Sequence, residues 1–246
     1  MKHLYVNIYF QEGELVVNLF KNLIKKYNHG WVLLLFFVYM PWFMYLEANN
    51  TNNLVNIHIK LDDYIPFNEW FVIPYLLWFA YVFITVVYFF FNNSKDEFYQ
   101  YCAFLFIGMF TSLIIYSIWP NQQSLRPNLS SLGRDNILIR IIAFIYSTDT
   151  PTNVCPSIHV YNSLATHIAI SKNHKLRNNK IVYLASFLLM VSICLSTTFI
   201  KQHSAFDTIC AIGLAVIVYL LIYYPSERLV VKERLRKTLK EKRYAN

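Results

Sequence analysis

Two histidines and an aspartate have the types and the spacing for chemistry on phosphorus. His203 and Asp207 are four residues apart in "HSAFD", so a helix that begins there places them one turn apart on one face. A carboxylate beside an imidazole fixes the tautomer of the ring and stabilises its protonated form, which leaves the second nitrogen free to react. His203 is therefore a candidate nucleophile, and Asp207 is the group that orients it.

The second histidine, His159, lies in "CPSIHVYNSLATHIAI", at the start of an apolar run. An ionisable group inside a membrane segment is functional by default, so we interpret His159 as a general acid that protonates a leaving oxygen. Pro156 suits the first turn of a helix, and the free amides near Ser157 would favour an anion. Ser157 is thus a candidate substrate-binding residue, and a role as a helix N-cap alone is the open alternative.

Two cations complete the candidate site. Arg126 in "NQQSLRPNL" could bind a phosphate in bidentate fashion, and Lys201 in "TFIKQH" could act as a point charge. Each has a simpler interpretation: Arg126 anchors the chain among lipid headgroups, and Lys201 extends to the membrane interface. Taken with the two histidines and Asp207, they predict a phosphoryl-transfer site that needs no metal and no other cofactor.

The composition indicates a membrane protein. Of the 246 residues, 56% are hydrophobic and 15% are charged, whereas a soluble domain carries about 25% charged residues. A helix of about 20 mostly apolar residues crosses a bilayer, and six runs are candidates: residues 31–46, 71–91, 98–119, 157–171, 181–199 and 205–224. The fourth run is short and polar, which is acceptable for a helix that faces the bundle interior. We therefore predict an all-α polytopic fold, a bundle of six transmembrane helices with an active site on the outer side.

The positions of lysine and arginine predict the orientation of these spans. With six spans both termini share one side, and that side holds 17 of the 22 basic residues. The other side holds the remaining 5, namely Lys60, Arg126, Arg134, Arg140 and Lys201. Because cytoplasmic loops carry the excess of positive charge, both termini are predicted to be cytoplasmic, in a multi-pass protein of the cell membrane. All the candidate site residues then lie at the outer ends of the spans.

The predicted spans and their orientation divide the chain into three parts. Residues 1–28 form a cytoplasmic or interfacial segment in which "LVVNLFKNLIKK" is either a helix on the membrane surface or an ordinary solvated helix. Residues 29–225 form the six-helix membrane domain, and within it the helical spacing of "NILIRIIAFIYS" predicts a helix that lies on the outer surface or caps the bundle. Residues 226–246 form a basic cytoplasmic tail that either touches anionic lipid or has no partner.

Two other classes of protein are excluded, namely metal- or disulfide-stabilised proteins and nucleic-acid-binding proteins. The four cysteines are scattered without a C-x-x-C pair, which indicates small buried hydrophobic residues rather than a metal site or a disulfide framework. The basic residues flank membrane spans and lack a fold that would present them to nucleic acid, so we expect no nucleic-acid partner.

The motifs resemble those of the type 2 phosphatidic acid phosphatase superfamily, which are K-x6-R-P, P-S-G-H and S-R-x5-H-x3-D. The resemblance is carried by "PSIH", followed 44 residues later by "HSAFD", and by the Arg-Pro pair at Arg126, and it covers about residues 71–224. It implies that His203 attacks phosphorus and forms a phosphohistidine, that Asp207 supports it, and that His159 protonates the leaving group. Water, or another alcohol, then accepts the phosphoryl group.

Three positions depart from the motifs of that superfamily. The lysine of the first motif falls at Trp119, the glycine of the second at Ile158, and the arginine of the third at Thr197. Whether Lys201 replaces one of the missing cations stays open. The pattern T-x-x-K-Q-H, with a second motif that lacks glycine, looks more like the branch of inositol phosphorylceramide synthase and sphingomyelin synthase relatives, which transfers phospho-head groups between lipids.

Three functional hypotheses follow. The first is a lipid phosphatase that acts on phosphatidic acid, phosphatidylglycerol phosphate or a polyprenyl diphosphate. The second is a phosphotransferase that moves a phospho-head group to a lipid or sugar alcohol, and the third is a non-catalytic lipid-binding protein. The expected partners are a lipid phosphate and the membrane; the sequence identifies neither the lipid nor the oligomeric state.

Overall fold

The protein is a multi-pass helical membrane protein. The computed structural model describes residues 18–19, 21–49 and 53–244, with side chains up to residue 225. Within these residues, five helices are long and apolar enough to cross a bilayer: Lys21–Ala48, Glu69–Asn92, Lys95–Ile118, Lys180–Phe199 and Ala205–Pro225. They coincide with five of the six predicted spans.

The α-helices are numbered in chain order. They are α1 (Phe36–Ala48), α2 (Lys60–Tyr64), α3 (Val72–Asn92), α4 (Lys95–Ile118), α5 (Ile137–Thr148), α6 (Ile158–Lys172), α7 (His174–Asn178), α8 (Lys180–Phe199) and α9 (Ala205–Tyr244). Three 3-10 segments are Asn28–Leu35, which leads into α1, Glu69–Phe71, which leads into α3, and Leu129–Leu132.

Polar caps explain why long apolar helices are joined by very short connections. Ser94 and Glu97 form a capping box at the start of α4, in which each side chain accepts a hydrogen bond from the backbone amide of the other. Asn173 caps α7, and Asn179 caps α8 by accepting from two amides of its first turn. These side chains satisfy amides that a helix start leaves without partners, so the chain can reverse direction within a few residues.

The short helix α6 occupies the centre of the bundle, where it packs against α3, α4, α8 and α9. Its 15 residues extend about 22 Å, so it is not among the five helices that are long enough to span. The polar residues of the fourth predicted span are buried in the interior: Asn162, Ser163, Thr166 and His167. Thr166 bonds the Tyr101 hydroxyl at 2.8 Å, and His167 bonds Ser186 at 2.9 Å, so these polar groups help to join α6 to α4 and α8.

The helices α4 and α6 pack tightly at Gly108. The ring of Tyr161 lies against Gly108, and its hydroxyl donates to the carbonyl oxygen of Phe104 at 2.7 Å. A Cβ atom built on Gly108 would lie 1.9 Å from two carbon atoms of that ring. Glycine is therefore required at residue 108 for α6 to reach its position in the core.

One end of the bundle collects the long connections, residues 53–71, 119–157 and 200–204, and we call it the loop end. A two-stranded parallel sheet pairs β1 (Val55–Asn56) with β2 (Asn121–Gln122). The amide of Asn68 donates to the carbonyl oxygen of Phe199 at 3.0 Å, and the hydroxyl of Tyr116 donates to that of Pro156 at 2.6 Å. These bonds bring together segments that are far apart in sequence.

The predicted helix in "NILIRIIAFIYS" is confirmed as α5. Asn136 caps it by accepting from the amide of Ile139 at 3.0 Å, and α5 packs against α3 and the Glu69–Phe71 turn at the loop end. Its buried residues Ile139, Ile142 and Ile145 recur at helical spacing, as expected for an amphipathic helix that covers the bundle.

The helix α9 continues beyond the predicted sixth span. It is one helix from Ala205 to Tyr244, with Pro225 inside it, so the residues of the predicted tail that the structure describes are helical. At the N-terminus, most of the predicted amphipathic segment lies outside the described residues.

Candidate active site

The turn between α8 and α9 carries His203 and fixes its tautomer. Its Nδ1 atom lies 3.0 Å from the carbonyl oxygen of Val154, in the segment that precedes α6. A carbonyl oxygen can only accept a hydrogen bond, so Nδ1 carries the hydrogen and Nε2 keeps its lone pair. His203 is 8% exposed, so the ring is held in the protein with a reactive nitrogen on the side away from Val154.

The carboxylate of Asp207 supports the same nitrogen. Its Oδ2 atom lies 3.4 Å from Nδ1 of His203 and accepts a hydrogen bond from the amide of Ser204 at 2.9 Å. The side chain is fully buried, so its charge acts on the imidazole with little screening by water. The predicted pair is thus in contact, although His203 lies in the turn and only Asp207 lies in α9, whereas the sequence predicted both on one helix.

His159, in the first turn of α6, lies beside His203. The ring centroids of the two histidines are 5.7 Å apart, which is close enough for one phosphoester group to contact both rings. Tyr75 and Trp78 of α3 flank His159, with ring centroids at 4.6 and 4.4 Å. The two rings pack against the imidazole and fix its position.

Arg126 reaches the site from the connection between α4 and α5. Its guanidinium donates to the side-chain oxygen of Gln202 and, at 3.2 Å, to the carbonyl oxygen of Tyr146, and it lies 4.5 Å from the centre of the Tyr146 ring. Its Nε atom is buried and meets no acceptor in the part of the chain that the structure describes. Burial lowers the pKa of Arg126, and the charge of Asp149 opposes that shift. The unpaired Nε–H is a donor that a bound anion would satisfy.

Lys201 is engaged elsewhere. Its ammonium donates to the carbonyl oxygen of Asp62 at 2.9 Å and to that of Ile65 at 2.5 Å, at the end of α2. Burial lowers the pKa of Lys201, and the charges of Asp62 and Asp63 raise it. Two of its three protons are thus used within the protein, and its role with phosphate stays a prediction.

Ser157 is the N-cap of α6. Its side-chain oxygen accepts from the amide of Val160 at 3.4 Å, and its own amide donates to the carbonyl oxygen of Asp207 at 3.3 Å. The second bond ties the start of α6 to the first turn of α9, so Ser157 joins the two helices that carry the histidines. Its predicted contact with substrate stays a prediction.

Asp62 is a part of this region that the sequence did not point to. Its carboxylate accepts from the hydroxyl of Ser204 at 2.6 Å and from the amide of Ala205 at 2.7 Å, and the residue is 2% exposed. A carboxylate at a helix N-terminus is stabilised by the free amides and by the helix dipole. Asp62 therefore caps α9 from a distant segment and holds the turn next to His203.

Asp149 and Gln202 also join the site without having been predicted. The amide of Gln202 donates to Oδ2 of Asp149 at 3.4 Å, and the hydroxyl of Tyr75 donates to the same oxygen at 3.5 Å. Burial raises the pKa of Asp149, and the nearby charges of His203 and Arg126 lower it. Asp149 stands in no motif, whereas Gln202 is the glutamine of the pattern T-x-x-K-Q-H, in which it was given no role.

The loop end thus brings together His159, His203, Asp207 and Arg126, which come from three separate stretches of the chain. Comparisons of the chain with protein-family models, with curated proteins and with solved structures find no match. The arguments for function therefore rest on the residues and on their geometry.

Proposed function

We propose that the protein is an integral membrane lipid phosphatase that removes phosphate from a lipid phosphate or diphosphate through a phosphohistidine at His203. One observation carries the proposal: the carbonyl oxygen of Val154 and the carboxylate of Asp207 both lie against Nδ1 of His203, which leaves Nε2 unprotonated, and His159 lies beside it. A nucleophile with its orienting group and an adjacent acid are the parts that covalent phosphoryl transfer needs.

In the first step the lone pair of His203 Nε2 attacks phosphorus. The bond from phosphorus to the lipid oxygen breaks, and the electron pair of that bond stays on the oxygen. His159, as imidazolium, gives its proton to that oxygen, so the lipid leaves as an alcohol. Asp207 stabilises the positive charge that develops on His203, and Arg126 holds the phosphoryl oxygens.

In the second step water attacks the phosphohistidine. His159, now neutral, takes a proton from the water as its oxygen bonds to phosphorus. The bond from phosphorus to Nε2 breaks and its electron pair returns to His203, which releases inorganic phosphate. Both histidines thus recover their starting protonation.

The loop end is proposed to face the outer side of the cell membrane, with α6 as a sixth, short span. The support is the charge distribution, because 17 of the 22 basic residues lie on the side of the termini. The central packing of α6 gives its polar residues partners inside the bundle, which a polar span requires. A lipid phosphate of the outer leaflet would then meet the histidines from the membrane surface.

The test is release of inorganic phosphate by purified protein from phosphatidic acid, phosphatidylglycerol phosphate and a polyprenyl diphosphate in detergent micelles, with a chelator present. We expect release by the wild type and none by His203→Ala. His174→Ala, in α7 at the opposite end of the bundle, is the matched control and should behave as the wild type. Release by His203→Ala at the wild-type rate would overturn the proposal.

A head-group phosphotransferase is the second candidate, and the charge of the site favours it. Lys201 binds backbone carbonyl groups, whereas Asp149 brings a carboxylate towards Arg126. A phosphomonoester carries a charge of about −1.5 to −2 at neutral pH, and a diester carries a single negative charge. A site with one engaged arginine and a nearby carboxylate suits the diester better.

The reaction product distinguishes the phosphatase from the phosphotransferase. A transferase given a phospholipid donor and a lipid or sugar alcohol forms a new phosphodiester and releases no inorganic phosphate, whereas a phosphatase releases phosphate without an acceptor. A wild-type protein that binds these lipids, yet yields neither product, would support the third hypothesis, a non-catalytic lipid-binding protein.

A further inference from the structure

Asp149 is a half-buried carboxylate at the edge of the site that the proposed chemistry does not use. It is the C-cap of α5, and its own amide donates to the carbonyl oxygen of Ile145 at 2.9 Å. Its side chain turns towards the bundle, where it meets Gln202 and Tyr75. It thus stands between the turn that carries His203 and the helix that carries Tyr75.

The position is unfavourable for a carboxylate. A negative charge at a helix C-terminus meets the negative end of the helix dipole, and burial of an ionised group carries a desolvation cost. Asp149 also lies near the carboxylate of Glu47, and two negative charges repel each other. A carboxylate beside Arg126 would further oppose a bound phosphate, so stability of α5 does not explain this residue.

Two series of contacts connect Asp149 to the candidate site. On one side Gln202 donates its amide hydrogen to Asp149, which turns the amide oxygen of Gln202 to Arg126. On the other side the hydroxyl of Tyr75 donates to Asp149 while the ring of Tyr75 stacks on His159. The anion-binding arginine and the acid histidine are therefore connected through a single carboxylate oxygen.

We propose that Asp149 is a positioning residue that holds Arg126 through Gln202 and His159 through Tyr75. This inference rests on the proposed function, because it assigns a role in that same site. Without Asp149 the amide of Gln202 is free to rotate and offer its NH2 group to the guanidinium, which would turn Arg126 away.

The groups that act electrostatically on Asp149 come from each segment around it. Arg126 brings a positive charge and His203 an imidazole ring, whereas Tyr75 is a neutral donor and Glu47 a second carboxylate. The role assigned to Asp149 is that of a hydrogen-bond acceptor, which an amide oxygen at the same position can also fill.

Two substitutions separate position from charge. Both hydrogen bonds end on one oxygen of Asp149, so Asp149→Asn keeps an acceptor and removes the charge, whereas Asp149→Ala removes both. For Asp149→Ala we expect KM to rise and kcat to fall, each by about tenfold. For Asp149→Asn, which keeps the acceptor, we expect both constants within about twofold of the wild type.

The measurement is kcat and KM for phosphate release, or for phosphodiester formation, by the wild type, both variants and Asp135→Asn. Asp135 is an exposed carboxylate that pairs with Arg140 near the start of α5, and its variant should match the wild type. If the wild type turns over and Asp149→Ala has unchanged constants, or Asp149→Asn loses as much activity as Asp149→Ala, the inference is wrong and the proposed function stands. If the wild type forms no product, the proposed function fails first and the inference falls with it. Where Asp149→Ala does not fold, Tyr75→Phe decides the case. It removes the hydroxyl that meets Asp149 and keeps the ring on His159, so kcat should fall, and an unchanged kcat would overturn the inference.

Discussion

Lys201 and Asp62 each make a hydrogen bond to the backbone of the segment that carries the other. The ammonium of Lys201 donates to the carbonyl oxygen of Asp62 at 2.9 Å, and the carboxylate of Asp62 accepts from the amide of Ala205 at 2.7 Å. The end of α2 is thus capped by a cation, and the start of α9 by an anion, in agreement with the dipole of each helix. The connection before α3 and the turn that carries His203 are held as one unit.

We expect Lys201→Met to lower the stability of the protein. The substitution leaves the carbonyl oxygens of Asp62 and Ile65 without their donor, which costs about 1–3 kcal/mol where such groups are buried. The measurement is unfolding in detergent, with Lys60→Met, an exposed lysine of the same segment, as the control. A variant of wild-type stability whose only defect is a raised KM would instead support direct contact of Lys201 with phosphate.

The orienting role of Asp207 gives a graded prediction. Loss of an orienting carboxylate that leaves the histidine in the wrong tautomer lowers kcat about 10⁴-fold. Here the carbonyl oxygen of Val154 holds Nδ1–H of His203 independently, so Asp207→Asn keeps the tautomer and loses only the charge. We therefore expect a fall in kcat of about 10²-fold for Asp207→Asn.

The kinetics of Asp207→Asn and His203→Ala on the same substrate check this prediction. A loss for Asp207→Asn as large as that for His203→Ala would mean that the Val154 carbonyl does not hold the tautomer. Circular dichroism of both variants shows whether each is folded, because Asp207 also accepts from the amide of Ser204.

Long apolar runs and spaced motif residues were enough to predict the helices and the histidine pair. Hydropathy finds a membrane helix because its whole length must be apolar. His203 and Asp207 could be paired from the sequence because they are only four residues apart, although His203 lies in the turn before α9. Val154 acts through its backbone carbonyl oxygen, a group that every residue has, so the sequence gives no sign of this role. Asp62 and Asp149 act across distant segments, and their roles depend on loop paths that periodicity does not contain.

Gly108→Ala tests the central position of α6. The added methyl group would meet the Tyr161 ring at 1.9 Å, well inside van der Waals contact. Either the ring must leave its hydrogen bond to Phe104 or α6 must shift, and overpacking of this kind costs about 1–3 kcal/mol. We expect a lower melting temperature in detergent, whereas Gly213→Ala, which has open space at its Cβ position, should change it little. Equal melting temperatures for the two variants would contradict the close packing of α4 and α6.

His159 as the acid predicts a dependence on the leaving group. A lipid alkoxide is a poor leaving group and needs a proton, whereas p-nitrophenolate leaves without one. We expect His159→Ala to lower turnover of phosphatidic acid by about 10²–10⁴-fold and turnover of p-nitrophenyl phosphate far less. The ratio of the two rates in wild type and variant is the measurement, and an equal loss on both substrates would mean that His159 does not act as the acid.

Exposed cysteines on the two sides of α6 test the topology. Ser131 lies before α5, Asn178 lies after α6, and both are exposed. If α5 lies on the membrane surface and α6 crosses the membrane, Ser131→Cys is labelled by a membrane-impermeant thiol reagent added to intact cells, and Asn178→Cys only after lysis. The native cysteines near the core, of which Cys102 and Cys155 are buried, give the background in the unsubstituted protein. Labelling of both variants from outside would mean that α6 enters the bundle without crossing the membrane. Labelling of Asn178→Cys alone would mean that the loop end faces the cytoplasm, which is the opposite of the proposed orientation.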